Sequence, residues 1–373
     1  MSNTELTGGN TVKNVLISGA GIAGPALAYW LRRNGFSVTV VERARGLRPG
    51  GQAIDVRGPA LEVVERMGLG DRLRSFSTGM RGMNVVDAEG NELFRSTTHT
   101  LSGGDLSSPD VELLRDDLAR MLFDAADGVE YLFDDTITSI DGTRVTFEKA
   151  PPRDFDVIVG ADGLHSNVRR LVFGPEPEFI SHLGMNLAVF TAPNFLGLDH
   201  WQTFQQGGAV GGGIMSARSN AECRVYMGFH GAADFDHRDV DAQRGLIAEK
   251  FADAGWAWPA ALKHMWEAPD FHFDSMSQIR MDSWSRGNVV LLGDAGYCGS
   301  PMSGQGTSLA LVGAYVLAGE LAEDPSGAFG RYEEVLRSYV VANQDMALRN
   351  METGGAPGDD FAEIVDSLTL PVH

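Results

Sequence analysis

Three glycines near the start of the chain have the spacing of a phosphate-binding turn. Gly19, Gly21 and Gly24 form the pattern Gly-x-Gly-x-x-Gly between an apolar run and a helical one. In such a turn the first glycine permits the bend, the second lets a pyrophosphate approach, and the third lets helix and strand pack closely. Glu42 follows at about the 20-residue separation at which an acid binds a ribose. The spacing predicts a dinucleotide site but does not distinguish an NAD site from an FAD site. For Glu42 the alternative is an acid at the end of a strand that is simply exposed to solvent.

A second glycine-rich stretch, LLGDAGYCGSPMSGQGTSLAL at residues 291–311, joins an apolar strand to an apolar helix. It contains the acid Asp294, a proline and, just before the helix, three closely spaced glycines, Gly299, Gly304 and Gly306. Glycines at such a junction allow a sharp turn and let a bulky group approach the backbone at a helix N-terminus. An Asp-Gly pair, Asp162 and Gly163, follows the apolar run VIVG. An ordinary turn is the alternative for both stretches, because Asp-Gly is a common turn pair.

The elements that must position these residues have an α/β pattern. Strand, helix and strand in succession make a βαβ unit, and apolar residues at helical spacing indicate further helices. The apolar run FDVIVGADG predicts a strand covered on both faces. We predict the βαβ unit at residues 15–18, 22–33 and 37–42, helices over 59–67 and 111–126, and short strands between 130 and 147.

Between residues 178 and 230 the pattern changes to strand-like runs without a helical period, such as GMNLAVFTA and CRVYMGF. This predicts a largely antiparallel sheet inserted between two parts of the first domain. The tail that starts at Gly354 and Gly355 is predicted to be loosely held. The predicted divisions are a dinucleotide-binding domain at 1–177 and 276–325, with minor strands of the sheet domain near 75–110, the sheet domain at 178–275, and a C-terminal helix and tail at 326–373.

The 373-residue chain is 43% hydrophobic and 21% charged, which is typical of a globular protein. Its formal net charge of −20 disfavours nucleic acid and anionic membranes as partners, because charge repulsion opposes both encounters. Two cysteines, Cys223 and Cys298, are too few for a disulfide framework and predict a cytoplasmic protein. No apolar run approaches the roughly 20 residues that span a bilayer. Histidines such as His165 lack metal-site spacing, so solvated or core positions are expected for them.

Two longer stretches, together with the glycine triplet, resemble a known enzyme family. DFDVIVGADGLHSNVRRLVF and GNVVLLGDAGYCGSPMSGQGTSLAL are similar to motifs of the single-component FAD-dependent aromatic hydroxylases, the para-hydroxybenzoate hydroxylase group. GGQAIDVRGPALEVVERMGL is most similar to the branch with the tetracycline-inactivating monooxygenases and polyketide hydroxylases. The resemblance covers nearly the whole chain. It implies an α/β fold: an FAD-binding, Rossmann-like domain of glutathione-reductase type, with an inserted, largely antiparallel substrate-binding β-sheet and a C-terminal helix.

The resemblance also implies which residues bind FAD. Asp294 would accept a ribityl hydroxyl, and the loop from Pro301 to Gly306 would bring backbone and a helix N-terminus against the flavin. Arg115 matches an arginine that reaches the cofactor, although a surface ion pair is the alternative. The implied cofactor residues are Gly19, Gly21, Ala23, Gly24, Glu42, Arg43, Arg48, Gly51, Gln52, Asp55, Arg115, Asp162, Gly163, Gly293, Asp294, Pro301, Gly304, Gln305 and Gly306.

Three positions depart from the family pattern. Tyr297 stands where the family commonly has a histidine, Ser308 where it has an asparagine, and Gly313 where it has an acid. We expect these changes to affect side-chain contacts more than the fold, because most of the flavin cradle is backbone. The loop RPGGQAIDVRG would lie beside the isoalloxazine and move with it; a glycine-rich surface loop is the alternative.

The implied activity is that of a monooxygenase that uses NADH or NADPH and O₂. Reduced flavin would react with O₂ to give a C4a-hydroperoxide that hydroxylates an aromatic or polycyclic compound, so no catalytic side chain is predicted. No second glycine triplet follows a strand, which indicates that the nicotinamide donor binds transiently. The inserted sheet would contact the substrate through Phe190, Trp201, Phe204, Met215 and Phe229, each of which is alternatively a core residue.

Two other functions are compatible with the motifs. One is a flavin-dependent reductase or oxidase on the same fold, such as a polyprenyl reductase. The other is a non-catalytic escort or binding protein, which the intact glycine triplet, Glu42 and Asp294 disfavour because such a protein has no need of them. The expected partners are a small aromatic molecule and O₂, and the expected state is a monomer or a weak homodimer.

Overall fold

The computed structural model describes residues 14–101, 104–206, 208–231, 233, 235–352 and 360–373. In these ranges the strands are β1 (Asn14–Ser18), β2 (Ser37–Glu42), β3 (Ala53–Val56), β4 (Gly82–Val86), β5 (Glu92–Ser96), β6 (His99–Thr100), β7 (Gly104–Asp105), β8 (Val111–Leu114), β9 (Glu130–Phe133), β10 (Ile137–Asp141), β11 (Arg144–Phe147), β12 (Arg153–Asp154), β13 (Val157–Gly160), β14 (Ile180–Pro193), β15 (Trp201–Gln205), β16 (Val210–Ala217), β17 (Glu222–His230), β18 (Phe271–Ile279), β19 (Ser285–Arg286) and β20 (Val289–Leu291). The α-helices are α1 (Ala23–Arg33), α2 (Pro59–Arg66), α3 (Gly70–Ser75), α4 (Arg115–Ala125), α5 (Asn167–Val172), α6 (Val240–Lys250), α7 (Trp258–Glu267), α8 (Asp294–Tyr297), α9 (Gly306–Glu323), α10 (Ala328–Glu352) and α11 (Phe361–Val365).

A six-stranded sheet forms the first layer, in the order β19-β20-β13-β1-β2-β9. All its neighbours are parallel except β19 and β20. Val15, Leu16 and Ile17 of β1 have no exposed surface, which explains the continuous apolar run in the sequence. Helix α1 connects β1 to β2 and packs against α9. The predicted α/β fold with a dinucleotide-binding βαβ unit is confirmed.

A seven-stranded sheet forms the second layer, in the order β18-β14-β17-β16-β15-β4-β5. Its pairs are antiparallel except β15 with β4. Strands β4 and β5 come from the region near residues 75–110. Strand β18 continues to Ile279 because it pairs with β14 up to that residue, so it crosses the predicted boundary between residues 275 and 276. One face of this sheet packs on α6 and α7 in a separate apolar core.

The helix predicted over residues 111–126 is wrong in its first turn. Val111–Leu114 is strand β8, which pairs antiparallel with β3, and helix α4 begins at Arg115. All four residues of β8 are buried, including the acidic Glu112, because neighbouring elements cover both faces of the strand. The helical spacing of apolar residues was compatible with both structures, and the partner strand decided between them.

The end of the chain is packed rather than loosely held where it is described. Val365 and Leu370 are buried, and the hydroxyl of Tyr315 donates to the carbonyl oxygen of Pro371 at 2.9 Å. The prediction of a loose tail is therefore wrong for residues 360–373, while Gly354 and Gly355 lie outside the described residues. Among the described helices, none has the length and apolar character needed to cross a membrane.

Candidate active site

A cavity of about 2750 Å³ separates the carboxyl ends of the parallel strands from the second sheet. This is where open parallel sheets bind ligands. Most of the residues predicted to bind the cofactor line it, although they come from distant parts of the chain. These residues are Gly19, Gly21, Ala23, Glu42, Arg43, Arg48, Gln52, Asp55, Arg115, Asp162, Gly163, Asp294, Pro301, Gly304 and Gly306.

Four other predicted cofactor residues lie behind the cavity wall. Gly24 packs on the turn, where a Cβ atom would overlap the carbonyl oxygen of Gly19. A Cβ atom at Gly51 would lie 2.5 Å from Nε of Arg115. Gly293 adopts a left-handed φ of 64° immediately before α8, and Gln305 is fully buried before α9. These four residues shape the wall through backbone conformation and packing rather than by facing the cavity.

The glycine turn has an open side toward the cavity. Gly19 has a φ of 108°, and a Cβ atom at Gly21 would meet no other atom within 4 Å. Glu42 holds the turn, because its carboxylate accepts hydrogen bonds from the backbone N–H groups of Ala20 and Ala44, both at 2.8 Å. Helix α1 begins at Ala23 without a side-chain cap. Its first N–H groups can therefore receive an anion.

Asp162 organises the turn after β13. Its carboxylate accepts hydrogen bonds from the Ser18 hydroxyl at 3.2 Å and from the N–H groups of Asn167 and Val168 at 3.0 and 3.1 Å. Burial raises the pKa of this carboxyl above its usual range, although these bonds act in the opposite direction. The side chain thus fixes the turn and the start of α5. Gly163, at φ 81°, has open space on its cavity side.

Arg169 joins this turn to the second glycine-rich stretch. Its side chain is fully buried and donates to the carbonyl oxygens of Ala295 at 2.9 Å and Leu164 at 2.7 Å. It also forms an ion pair with Glu176 at 2.9 Å. The two predicted cofactor motifs are therefore held together by one guanidinium group.

The second glycine-rich stretch presents both a carboxylate and a helix start to the cavity. The side chain of Asp294 is open to the cavity, and desolvation by the surrounding walls raises its carboxyl pKa above the usual range. Gly304 adopts a left-handed φ of 63°, and helix α9 begins two residues later without a side-chain cap. The 18-residue helix α9 directs its positive end here. The arrangement can accept hydroxyl groups and stabilise negative charge.

Arg115 is buried at the first residue of α4, so the alternative of a surface ion pair is wrong. Its Nη2 donates to the carbonyl oxygens of Arg48 at 2.7 Å and Gly50 at 3.0 Å. Burial, aided by the charge of Arg48, lowers the pKa of Arg115 to about 10. The side chain fixes the loop RPGGQ and adds positive charge to the cavity wall.

Comparison with known proteins identifies the group to which this geometry belongs. Residues 13–353 match the family model described as FAD binding domain. The chain belongs to this FAD-binding family. An uncharacterised protein of Mycobacterium tuberculosis is 53% identical over 370 residues, which cover 96% of this chain and 99% of the relative.

Two further relatives carry functional names. A flavin-dependent monooxygenase of Legionella longbeachae is 39% identical over 338 residues, or 88% of this chain and 86% of the relative. The crystal structure of tetracycline destructase Tet(51) matches with a TM-score of 0.87 at 34% identity, covering 97% of this chain and 100% of that one. The predictions of a flavoprotein, and of an FAD-dependent monooxygenase rather than the two alternatives, are confirmed.

The residues of the cavity fit FAD in this FAD-binding protein. Gly21 and Gly163 leave space that a side chain would fill, and the uncapped starts of α1 and α9 suit a pyrophosphate and an electron-rich ring. Asp55 also lines the cavity and forms a buried ion pair with Arg57 at 2.9 Å. Burial raises the pKa of Asp55 well above its usual range, with the neighbouring Glu112 acting in the same direction.

Of the five residues predicted to contact the substrate, Phe204 lines the cavity. Phe190 and Phe229 lie in the core on the opposite face of the sheet, because side chains alternate along a strand. Met215 is buried beneath Tyr226, whose hydroxyl donates to its sulfur at 3.3 Å. Trp201 packs under Arg95, with 4.7 Å between guanidinium and ring centre, and does not line the cavity. The cavity face of the sheet is instead formed by Met83, Val85, Met185, Leu187, Val189, Phe204 and Tyr226.

A charged cluster at the cavity wall was missed by the sequence analysis. Both ring nitrogens of His165 contact carboxylates, Glu176 at 2.9 Å and Asp274 at 3.0 Å, and its ring stacks on His237 at 4.4 Å. These carboxylates raise the pKa of His165 to about 9 against the opposing effect of burial. His272, also on the wall, has its pKa lowered to about 4 by burial and by Arg48. Within the described residues no acid, histidine or cysteine group is arranged to hold a metal ion.

Proposed function

We propose that the protein hydroxylates an aromatic or polycyclic compound, of the tetracycline or aromatic polyketide type, with NADPH or NADH and O₂ as co-substrates. One observation carries the proposal: a single cavity is lined by the glycine turn at Gly21 and by Phe204 and Tyr226 of the second sheet. A flavin on the first layer and an organic ring on the second would therefore face each other without an intervening wall.

The proposed FAD site uses the cavity-lining residues of the first layer. The N-terminus of α1 would hold the pyrophosphate, Glu42 the adenosine ribose, and Asp294 the ribityl chain. The backbone of residues 301–306 and the N-terminus of α9 would contact the flavin, with Arg115 and Asp55 on the opposite wall. Bound FAD would supply hydride acceptance and oxygen activation, which no side chain of the cavity provides.

The proposed substrate site is the cavity face of the second sheet. Leu187, Val189 and Phe204 give it an apolar surface, and methionines such as Met83 and Met185 adapt their shape to a ligand. Gly211 and Gly228 lie opposite each other on β16 and β17 and leave the surface flat between these side chains. Such a surface suits a fused ring system. Residues of both layers would surround a ligand bound there and shield it from water.

Flavin binding and substrate-dependent turnover test this proposal. The purified protein is expected to acquire flavin absorbance on addition of FAD. Tetracyclines or aromatic polyketides are then expected to accelerate NADPH or NADH consumption and to yield a product heavier by one oxygen atom. Accelerated consumption in the absence of O₂, with a reduced organic product, would instead indicate a reductase. A protein that never binds FAD would contradict every enzymatic proposal.

We further propose that the protein acts in the cytoplasm as a monomer or a weak homodimer. The two cysteines, Cys223 and Cys298, are both buried and free, which supports a reducing compartment. Light scattering across a concentration series tests the assembly. A tetramer that persists at low protein concentration would contradict it.

A further inference from the structure

The loop between the two layers, residues 48–53, is termed here the flavin-side loop. The FAD-binding layer holds its backbone through Arg115, which donates to the carbonyl oxygens of Arg48 and Gly50. The neighbouring Asp116 accepts a hydrogen bond from the N–H of Gly50 at 3.1 Å. This side of the loop is therefore tied to the start of α4.

The second sheet holds the same loop from the other side. Asp270 accepts a hydrogen bond from the N–H of Gly51 at 3.3 Å, and Nε of Arg224 donates to the carbonyl oxygen of Gly51 at 2.9 Å. The hydroxyl of Tyr226 accepts a hydrogen bond from the N–H of Ala53 at 2.9 Å. Of these three sheet residues, Tyr226 lines the cavity, and Arg224 and Asp270 lie outside its described lining.

Tyr226 thus belongs to the ligand surface and to the loop contact at once. On neighbouring strands it pairs with Val189 and with Gly213, whose open side is covered by the ring of Phe204. Burial raises the pKa of its hydroxyl, so the group keeps its proton, donates to Met215 and accepts from Ala53. A ligand that displaces the ring lengthens the bond to Ala53, and a hydrogen bond weakens steeply with poor geometry.

We propose that Tyr226 is a positioning residue that couples occupation of the substrate surface to the position of the flavin-side loop; the proposal rests on the proposed function. When the contact with Ala53 is lost, the sheet keeps its two contacts at Gly51 while Arg115 still holds Arg48 and Gly50. The Ala53 end of the loop is then free to follow the FAD-binding layer. Gly50 and Gly51, at φ 67° and 104°, give the loop a conformational freedom that other residues lack. Without a ligand, Tyr226 keeps the Ala53 end of the loop against the sheet.

The variant Tyr226→Phe tests this coupling, because it keeps the ring and removes the hydroxyl. In the FAD-loaded full-length protein, amide hydrogen exchange at Ala53 is expected to accelerate at least about fivefold, the factor for one ordinary net hydrogen bond. The rate of NADPH or NADH oxidation without a ligand is expected to rise several-fold, because the Ala53 end of the loop can then move without a ligand bound to the sheet. A structural role confined to packing would leave that rate unchanged.

Tyr131→Phe is the matched control. The Tyr131 hydroxyl is buried without a hydrogen-bond partner, and the residue does not line the cavity. Both measurements are expected to stay at the wild-type value in this variant. Unchanged exchange at Ala53 in Tyr226→Phe, or unchanged ligand-free oxidation, would overturn the coupling. If the proposed function itself is wrong, the wild-type protein fails to bind FAD or to oxygenate any tested ligand. That outcome differs from a failure of the coupling, which appears only in the comparison of Tyr226→Phe with the wild type.

Discussion

The hydroxyl of Tyr297 occupies the space that a side chain at Gly313 would fill. A Cβ atom at Gly313 would overlap this hydroxyl and lie 2.9 Å from Cδ1 of Leu292. The hydroxyl also contacts the Tyr332 hydroxyl at 2.7 Å, and neither tyrosine lines the cavity. Tyr297 and Gly313, two of the three positions expected to depart from the family pattern, are therefore neighbours in the core.

The first prediction concerns this pair. Gly313→Ala is expected to lower the free energy of unfolding by about 1–3 kcal/mol, the cost of overpacking a core. Tyr297→Phe removes the overlapping oxygen, so the double variant is expected to recover part of that loss. Denaturant unfolding of the wild type, both single variants and the double variant measures the coupling. Strictly additive losses would contradict the pairing.

The second prediction separates backbone from side-chain binding of FAD. Gly304 has a left-handed φ of 63° on the cavity wall, and a Cβ atom there would lie 3.3 Å from Nη1 of Arg57. Gly304→Val is therefore expected to weaken FAD binding at least about tenfold, given the strain of a branched residue at positive φ. Tyr297→Phe is expected to keep wild-type affinity. A fluorescence titration with FAD measures the affinity of each variant. An equal loss of FAD affinity in both variants would refute the division between backbone and side-chain binding.

The third prediction concerns the two faces of the second sheet. Phe204→Ala is expected to raise the dissociation constant of a bound aromatic ligand while leaving FAD affinity unchanged, because the ring lines the cavity. Phe190→Ala is expected to cost about 3–5 kcal/mol of stability, because that ring is fully buried in the core. Ligand titration and thermal unfolding of both variants test the assignment. The reverse pattern would place the substrate on the other face.

The fourth prediction is a pH dependence of stability carried by His165. Its pKa in the folded protein is about 9, above the value near 6.5 of an unperturbed histidine. Its ion pairs therefore contribute fully below about pH 6.5, and the contribution is lost as the pH rises toward 9. Wild-type protein is expected to lose stability over this range relative to His165→Gln. If the free energy of unfolding changed with pH in the same way in both proteins, the assignment to His165 would be contradicted.

Local signals predicted well which segments of the first layer line the cavity. The glycine turn, Glu42 and the stretch after β20 are short segments whose conformation depends on neighbours in the sequence. Asp162 lies on the cavity wall, yet its carboxylate binds backbone N–H groups at the start of α5. The motif alone does not distinguish this role from a cofactor contact.

Long-range pairing explains what was missed. Which of Phe190 and Phe204 faces the cavity depends on how β14 and β15 are set in the sheet, and either face accepts an aromatic residue. His165 and Asp274 are 109 residues apart, so no spacing rule brings them together. The contact of Tyr226 with Ala53 likewise depends on the packing of β17 against the flavin-side loop, which no local sequence pattern predicts.

The proposed function requires one cavity to hold both FAD and an organic substrate for oxygen transfer. The most direct test is the mass of the product formed by the FAD-loaded protein with NADPH, a tetracycline or aromatic polyketide, and isotopically labelled O₂. We expect one labelled oxygen atom in the product, with none taken from labelled water. A product whose new oxygen comes from water, or NADPH-dependent turnover that adds no oxygen, would contradict it.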